Sequence, residues 1–199
     1  VPADPLARFF ELLRALPEPV DAEPLYGDDA EGRRRERNLR RYFAMPHAPV
    51  LLLGEAPGWR GMTVTGVPFV SVREAQAGLE LPEHPQAPWE ASSRVVWATL
   101  RDWRGPIPLS WPVYPLHPFV AGDPRTNRTP RPAEVRAGAP VALELIRALD
   151  IETVVAVGRK AQGAIAAAGV EAPAIRPPAQ GGAALFAEQL IELNRGLKP

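Results

Sequence analysis

Apolar residues recur at helical spacing from the start of the chain, at Leu6, Phe9, Phe10, Leu12, Leu13 and Leu16, and Pro17 and Pro19 end the pattern. The spacing predicts an N-terminal helix packed on the body of the protein. A second helix is expected from Asp28 to Phe43, with Leu39, Tyr42 and Phe43 inward. An aliphatic run, Val50 to Leu53, then stops abruptly at Gly54-Glu55-Ala56-Pro57-Gly58. That pattern is a buried strand ending in a tight turn, with one carboxylate at its C-terminal lip. The stretch from Val72 to Trp89 has no periodicity and is expected to be a loop. Ser92 or Ser93 is placed to cap a helix running through Leu100. A short strand is expected near Trp111 to Tyr114, inside a proline-studded run. Asp123 to Pro132 is a polar loop, and Pro132 suits the first position of a helix reaching Leu149. Thr153 to Val157 is a clear strand ending at Gly158, followed by a small-residue helix from Arg159 to Ala168. Pro173 to Ile175 gives a last strand, Arg176 to Gly182 a loop, and Ala183 to Leu193 a closing helix.

Strands alternating with helices predict a parallel sheet covered on both faces. The expected fold is therefore α/β: a three-layer α/β/α sandwich around a central four-stranded parallel sheet, forming one domain over residues 1–199. Right-handed crossovers bring all four strand ends to one edge. Glu55, the loop after Tyr114 and the loop after Ile175 should converge there, where open α/β sheets keep their ligands.

Composition narrows the chemistry. The formal net charge is zero, so a polyanionic partner must be met by a local basic face. One candidate is the second helix, whose Arg33, Arg34, Arg35, Arg37, Arg40 and Arg41 read either as a solvated face balanced by Glu31 and Glu36 or as phosphate contacts. The chain has no cysteine, which excludes disulfides, thiolate catalysis and sulfur-ligated zinc or iron. Its three histidines, His47, His84 and His117, have no metal-ligand spacing, so no metal or other cofactor is expected. No apolar run reaches the ~20 residues of a membrane span and the first residues lack signal-peptide character. The expectation is a soluble, cytoplasmic monomer. The 25 prolines are dispersed between periodic segments as rigid connections.

Taken alone, the Gly-Glu-x-Pro-Gly turn is a weak signal. It is followed by Thr65-Gly66-Val67-Pro68-Phe69, Asn127-Arg128-Thr129-Pro130, Val157-Gly158 and Arg176-Pro177-Pro178-Ala179-Gln180-Gly181-Gly182. In order and spacing, from about Tyr42 to Phe186, this series resembles the uracil-DNA glycosylase superfamily. More narrowly it resembles the branch whose first motif is GEAPG, here without the cysteines that hold an iron–sulfur cluster in thermostable members. The resemblance implies DNA with damaged or deaminated bases as partner, Glu55 as the catalytic carboxylate and Phe69 as the ring on which a flipped base stacks. Gly54, Ala56, Pro57 and Gly58 would complete the first wall of the base site. Asn127, Arg128, Arg176, Gln180, Gly181 and Gly182 would contact DNA, with Arg125 and Arg131 adding positive charge.

Two departures from the family pattern fall in the base site. Members usually carry an asparagine on the second strand and a histidine in the last motif, both directed at the base. Pro112 and Pro177 stand at those places, and proline has no side-chain amide and no backbone donor. Arg176 and His117 are the candidates to compensate. Two functions follow: a DNA-repair glycosylase that hydrolyses the glycosidic bond of a flipped deaminated base, or a catalytically impaired relative that binds DNA or nucleobase without cutting. A nucleotide-binding domain unrelated to DNA is disfavoured, because no Gly-x-Gly-x-x-Gly or Walker pattern follows a strand.

Overall fold

The computed structural model describes residues 4–75, 78–85 and 89–196. Its elements in chain order are α1 (Ala7–Arg14), β1 (Ala22–Glu23), α2 (Ala30–Phe43), β2 (Val50–Gly54), α3 (Met62–Thr65), α4 (Ala91–Leu100), β3 (Leu109–Pro112), β4 (His117–Pro118), α5 (Pro132–Ala148), β5 (Thr153–Val157), α6 (Arg159–Ala166), β6 (Ala174–Ile175) and α7 (Ala183–Gly196). The main sheet is parallel with strand order β3-β2-β5-β6.

Alternation along the central strands builds the layers. Leu51, Leu53, Val154 and Ala156 face one core with Phe9, Phe10, Leu39, Leu145 and Ile165, contributed by α1, α2, α5 and α6. Val50, Leu52, Val155 and Val157 face the other, with Val96, Leu100, Phe186 and Leu190 from α4 and α7. Period-two side chains with both faces covered produce the unbroken apolar runs seen in the sequence. Leu51, Leu52 and Leu53 are fully buried, each worth roughly 1.5–3 kcal/mol against exposure. The fold is thus the α/β/α sandwich with a four-stranded parallel sheet.

Several boundaries move for local reasons. Asp29 caps α2 by accepting from Gly32 N at 2.8 Å, so the helix starts at Ala30. The N-cap of α4 is Glu90 and neither Ser92 nor Ser93; Ser93 lies inside the helix and donates its hydroxyl to Glu90 Oε2 at 2.8 Å. The second sheet strand runs Leu109–Pro112, but its ladder continues: Val113 N donates to Gly54 O at 2.9 Å and Tyr114 N to Glu55 O at 3.1 Å. A two-stranded antiparallel ribbon, β1 with β4, and the single turn of α3 had no periodicity to reveal them. The expected loop from Val72 to Trp89 includes residues 76, 77 and 86–88, which lie outside the described residues; the flanking parts have no regular structure.

Five of the six arginines of α2 are internal fasteners, and Arg33 is exposed. Arg34 donates to Glu80 O, Glu31 and Val64 O, Arg35 to Leu25 O, Arg37 to the Glu80 carboxylate, Arg40 to Glu36 and Asp4, and Arg41 to Gly78 O. Asn38 Nδ2 also donates to Thr65 O at 2.8 Å, and Gly66, with φ +77°, leaves no room for a side chain: a Cβ there would sit 2.5 Å from Arg35 Cβ. The helix therefore anchors the segment that carries Phe69.

Candidate active site

β2 delivers Glu55 to the lip of the sheet. The two hydrogen bonds from Val113 and Tyr114 fix the backbone of Gly54 and Glu55, so the carboxylate projects from a rigid strand end and not from a free loop. Glu55 is partly exposed, with Oε1 3.6 Å from Lys160 Nζ; the same ammonium donates to Thr129 Oγ1 at 3.0 Å. Lys160 lies in the first turn of α6, just past the end of β5.

Above this lip opens a cavity of roughly 370 Å³. Its walls include Gly54 to Gly58, Pro68, Phe69, Glu90, Trp111, Pro112, Asn127, Arg128, Thr129 and Gln180. Phe69 packs edge-on over Gly54, where a Cβ would lie 3.4 Å from its Cζ, and Trp97 Nε1 holds its carbonyl at 2.9 Å. Its backbone has φ +54°, a left-handed conformation that is unfavourable for a bulky residue. Gln180, which also lines the cavity, has φ +52°. Two non-glycine residues held in this region on one cavity are the kind of local strain that surrounding structure must maintain.

A second cavity of roughly 790 Å³ adjoins the first, sharing Glu55, Thr129, Ala179 and Gln180. Arg176 and Pro177 line this one, with Arg159 and Lys160. Pro177 packs against Gly158, whose φ is +102° and whose missing Cβ would sit 3.0 Å from Pro177 Cγ. Gly181 and Gly182 line neither cavity; Gly182 closes the turn, since a Cβ there would strike Pro177 O at 2.0 Å.

Two expectations need correction. His117 does not reach the cavity. It is fully buried in β4, with Nδ1 2.9 Å from Glu23 Oε1, and Nε2 2.9 Å from Thr126 O and 3.2 Å from Asn127 Oδ1. Its ring supports Asn127 from behind and has no nitrogen left for a base. Arg128 borders the cavity, but its guanidinium is committed to Asp21 and to both oxygens of Glu134, as is that of Arg131 to the same two acids. Hydrogen bonding to Arg131 holds the Asp21 carboxyl far below the usual range, and Arg128 lowers that of Glu134. This is a structural clasp between the β1 region and the start of α5. Arg125, Arg159 and Arg176 are exposed, the last two on the wall of the second cavity.

The sequence reading passed over three residues. Glu90 brings a second carboxyl to the first cavity, and burial pushes it above the ordinary carboxylate range. Lys160 is the nearest cation to Glu55, signalled only by its place one turn past a strand. Trp59 donates its backbone N–H to Asn127 Oδ1 at 3.0 Å, and its ring lies under the Arg60 guanidinium at 4.6 Å. Among the described residues no group of three His, Asp or Glu side chains is placed to hold a metal ion, and no helix is long and apolar enough to cross a membrane.

The parallel three-layer sandwich thus carries a carboxylate, an aromatic ring and amide groups at the C-terminal lip of its sheet, the place where open α/β sheets keep their ligand sites. The model of the uracil DNA glycosylase superfamily matches residues 41–191, and the chain belongs to that superfamily. Wild-type SMUG2 of Pedobacter heparinus has a similar fold, with a TM-score of 0.66 at 15% identity over 96% of this chain and 97% of that one. No curated protein matches the sequence. Membership makes the function uracil-DNA glycosylase-like, within the DNA-repair glycosidases.

Proposed function

We propose that the protein binds DNA, takes a deaminated base such as uracil out of the stack and hydrolyses its glycosidic bond. Cutting that bond leaves an oxocarbenium-like sugar and an anionic base. Glu55 orients a water toward C1′ and offsets the positive charge growing on the sugar. The water oxygen bonds to C1′ as the C1′–N bond breaks, its proton passes to the carboxylate or solvent, and the electron pair leaves on the base. Phe69 stacks the extruded base. Lys160, beside Glu55, supplies positive charge near the departing anion, and Arg125, Arg159 and Arg176 offer phosphate contacts, which give salt-dependent affinity.

The observation that carries this reading is the shared cavity of Glu55 and Phe69 at the sheet's lip. A second reading, binding without cleavage, is favoured by Pro112, which presents no donor at the same lip. Labelled oligonucleotides containing uracil, hypoxanthine or xanthine separate the two. Alkali-labile abasic sites that disappear with Glu55→Gln support the glycosylase. Salt-sensitive DNA binding with no base released at high protein concentration supports the binding module.

A further inference from the structure

Glu90 is seated in the cavity of Glu55 and Phe69 by the absence of two side chains. A Cβ on Gly58 would lie 2.4 Å from Glu90 Oε1, and one on Gly61 would lie 2.4 Å from Oε2. Ser93 Oγ donates to Oε2, while Oε1 has no hydrogen-bond partner among the described residues. A carboxylate oxygen left without a protein partner on a cavity wall is open to a ligand group that can donate to it.

Asn127 faces the same place. Its amide orientation is fixed, because the Trp59 backbone N–H can only donate and it meets Oδ1; His117 Nε2 lies against the same oxygen. Nδ2 is therefore turned into the cavity, 3.8 Å from the point that Glu90 Oε1 approaches to 2.4 Å. One wall thus presents an amide donor beside a carboxyl acceptor.

We propose that Asn127 Nδ2 and Glu90 Oε1 together read the lactam edge of the flipped base, the adjacent carbonyl and ring N–H that deamination creates. This rests on the base-excision reading above and gives the pocket base-edge readers at positions other than Pro112 and Pro177. The carbonyl accepts from Asn127 and the ring N–H donates to Glu90. Cytosine and adenine present the reverse order, an amino donor beside a ring acceptor, and meet donor with donor and acceptor with acceptor. Uracil, hypoxanthine and xanthine share the matching edge. Glu55 is the other carboxyl on this cavity, and Glu74 is the charged group that faces Glu90 through space.

The test measures base preference separately from cleavage. Oligonucleotides carrying one 2′-fluoro-2′-deoxyuridine or one 2′-fluoro-2′-deoxycytidine resist hydrolysis, and anisotropy gives the affinity for each. Wild type is expected to prefer the uracil analogue by about 10-fold or more, since a paired edge contact discriminates against the mismatched base. Glu90→Met and Asn127→Asp should each bring the preference close to unity. Asn127→Asp is isosteric on an exposed loop, so it reports even if Glu90→Met disturbs the Gly58 to Gly61 turn. Retention of the wild-type preference by both variants overturns the assignment, as does a wild type that binds both analogues equally. If wild type releases uracil from the cleavable strand and the variants keep its preference, this inference alone fails. If wild type neither releases uracil nor binds the strands, the reading beneath it fails as well.

Discussion

His117 Nε2 stands 3.2 Å from Asn127 Oδ1, with the Glu23 carboxylate 2.9 Å from the other ring nitrogen. Through its buried ring, His117 connects the small β1–β4 ribbon to the polar wall of the cavity. His117→Ala is expected to cost on the order of 1–3 kcal/mol in urea unfolding, from the lost hydrogen bonds and the space left by a fully buried ring. It should also lower base release, because Asn127 loses the contact behind its amide. Unchanged stability would show that the ring is not a fastening.

Phe69 combines a strained backbone with a half-exposed ring. Phe69→Leu keeps an apolar side chain over Gly54 and removes the aromatic face. Binding of a strand with an extruded uracil analogue should weaken by about 5- to 100-fold, from the ~1–3 kcal/mol worth of base stacking, with little change in thermal midpoint. An equal loss for undamaged strand would argue that the ring shapes the DNA surface and does not stack the base.

Pro112 sits where the strand tolerates it. Val113 N bonds to Gly54 O on β2, whereas Ser110 N points outward to Tyr42 Oη at 2.8 Å. By the alternation of a strand, position 112 directs its nitrogen away from β2, so proline forfeits no ladder bond in this edge strand. Pro112→Asn should therefore fold normally. It is expected to raise single-turnover uracil release, with 10²-fold as the scale for one added donor to the developing anion.

Two sets of carboxyls give stability opposite dependences on pH. Asp21 and Glu134 are lowered in the fold by Arg131 and Arg128, so the stability they contribute is present above the unfolded carboxyl values near ~4 and is lost as pH falls through their folded values. Glu90 is raised by burial, so its favourable contribution exists below its unfolded value and disappears as pH rises through the folded one. Thermal midpoints should drop below about pH 4, and more shallowly in Asp21→Asn. Glu90→Gln should be more stable than wild type at pH 7 and lose that advantage in acid. A Glu90→Gln protein no more stable at pH 7 than at pH 4, relative to wild type, would contradict the burial of that carboxyl.

What the sequence disclosed follows the range of the forces involved. Val50 to Leu53 and Thr153 to Val157 announced themselves because strands covered on both faces are apolar without interruption. Glu55 was visible because a glycine-proline turn cuts such a run short. Ser93 looked like a cap by residue type, yet Glu90 takes the role, and Ser93 instead bonds the Glu90 carboxyl; both choices fit the local sequence, and packing on Gly58 and Gly61 decided between them. Arg128 lay in a motif that suggested DNA, but Asp21, more than a hundred positions away, claims it. The arginines of α2 were equally open until Glu80 and Asp4 were seen beside them. Pairings between distant charged residues leave no trace in periodicity, so the ionic half of the site had to come from the structure.

The central claim is that Glu55 handles water and sugar charge in base excision, and single-turnover release of uracil from an oligonucleotide, with protein in excess, tests it most directly. Wild type is expected to generate alkali-labile sites at the uracil, and Glu55→Gln to do so slower by about 10²- to 10³-fold or more, while both bind the strand with the same salt-dependent affinity. Equal rates of release by the two proteins, or DNA bound without any release by wild type, would contradict the account.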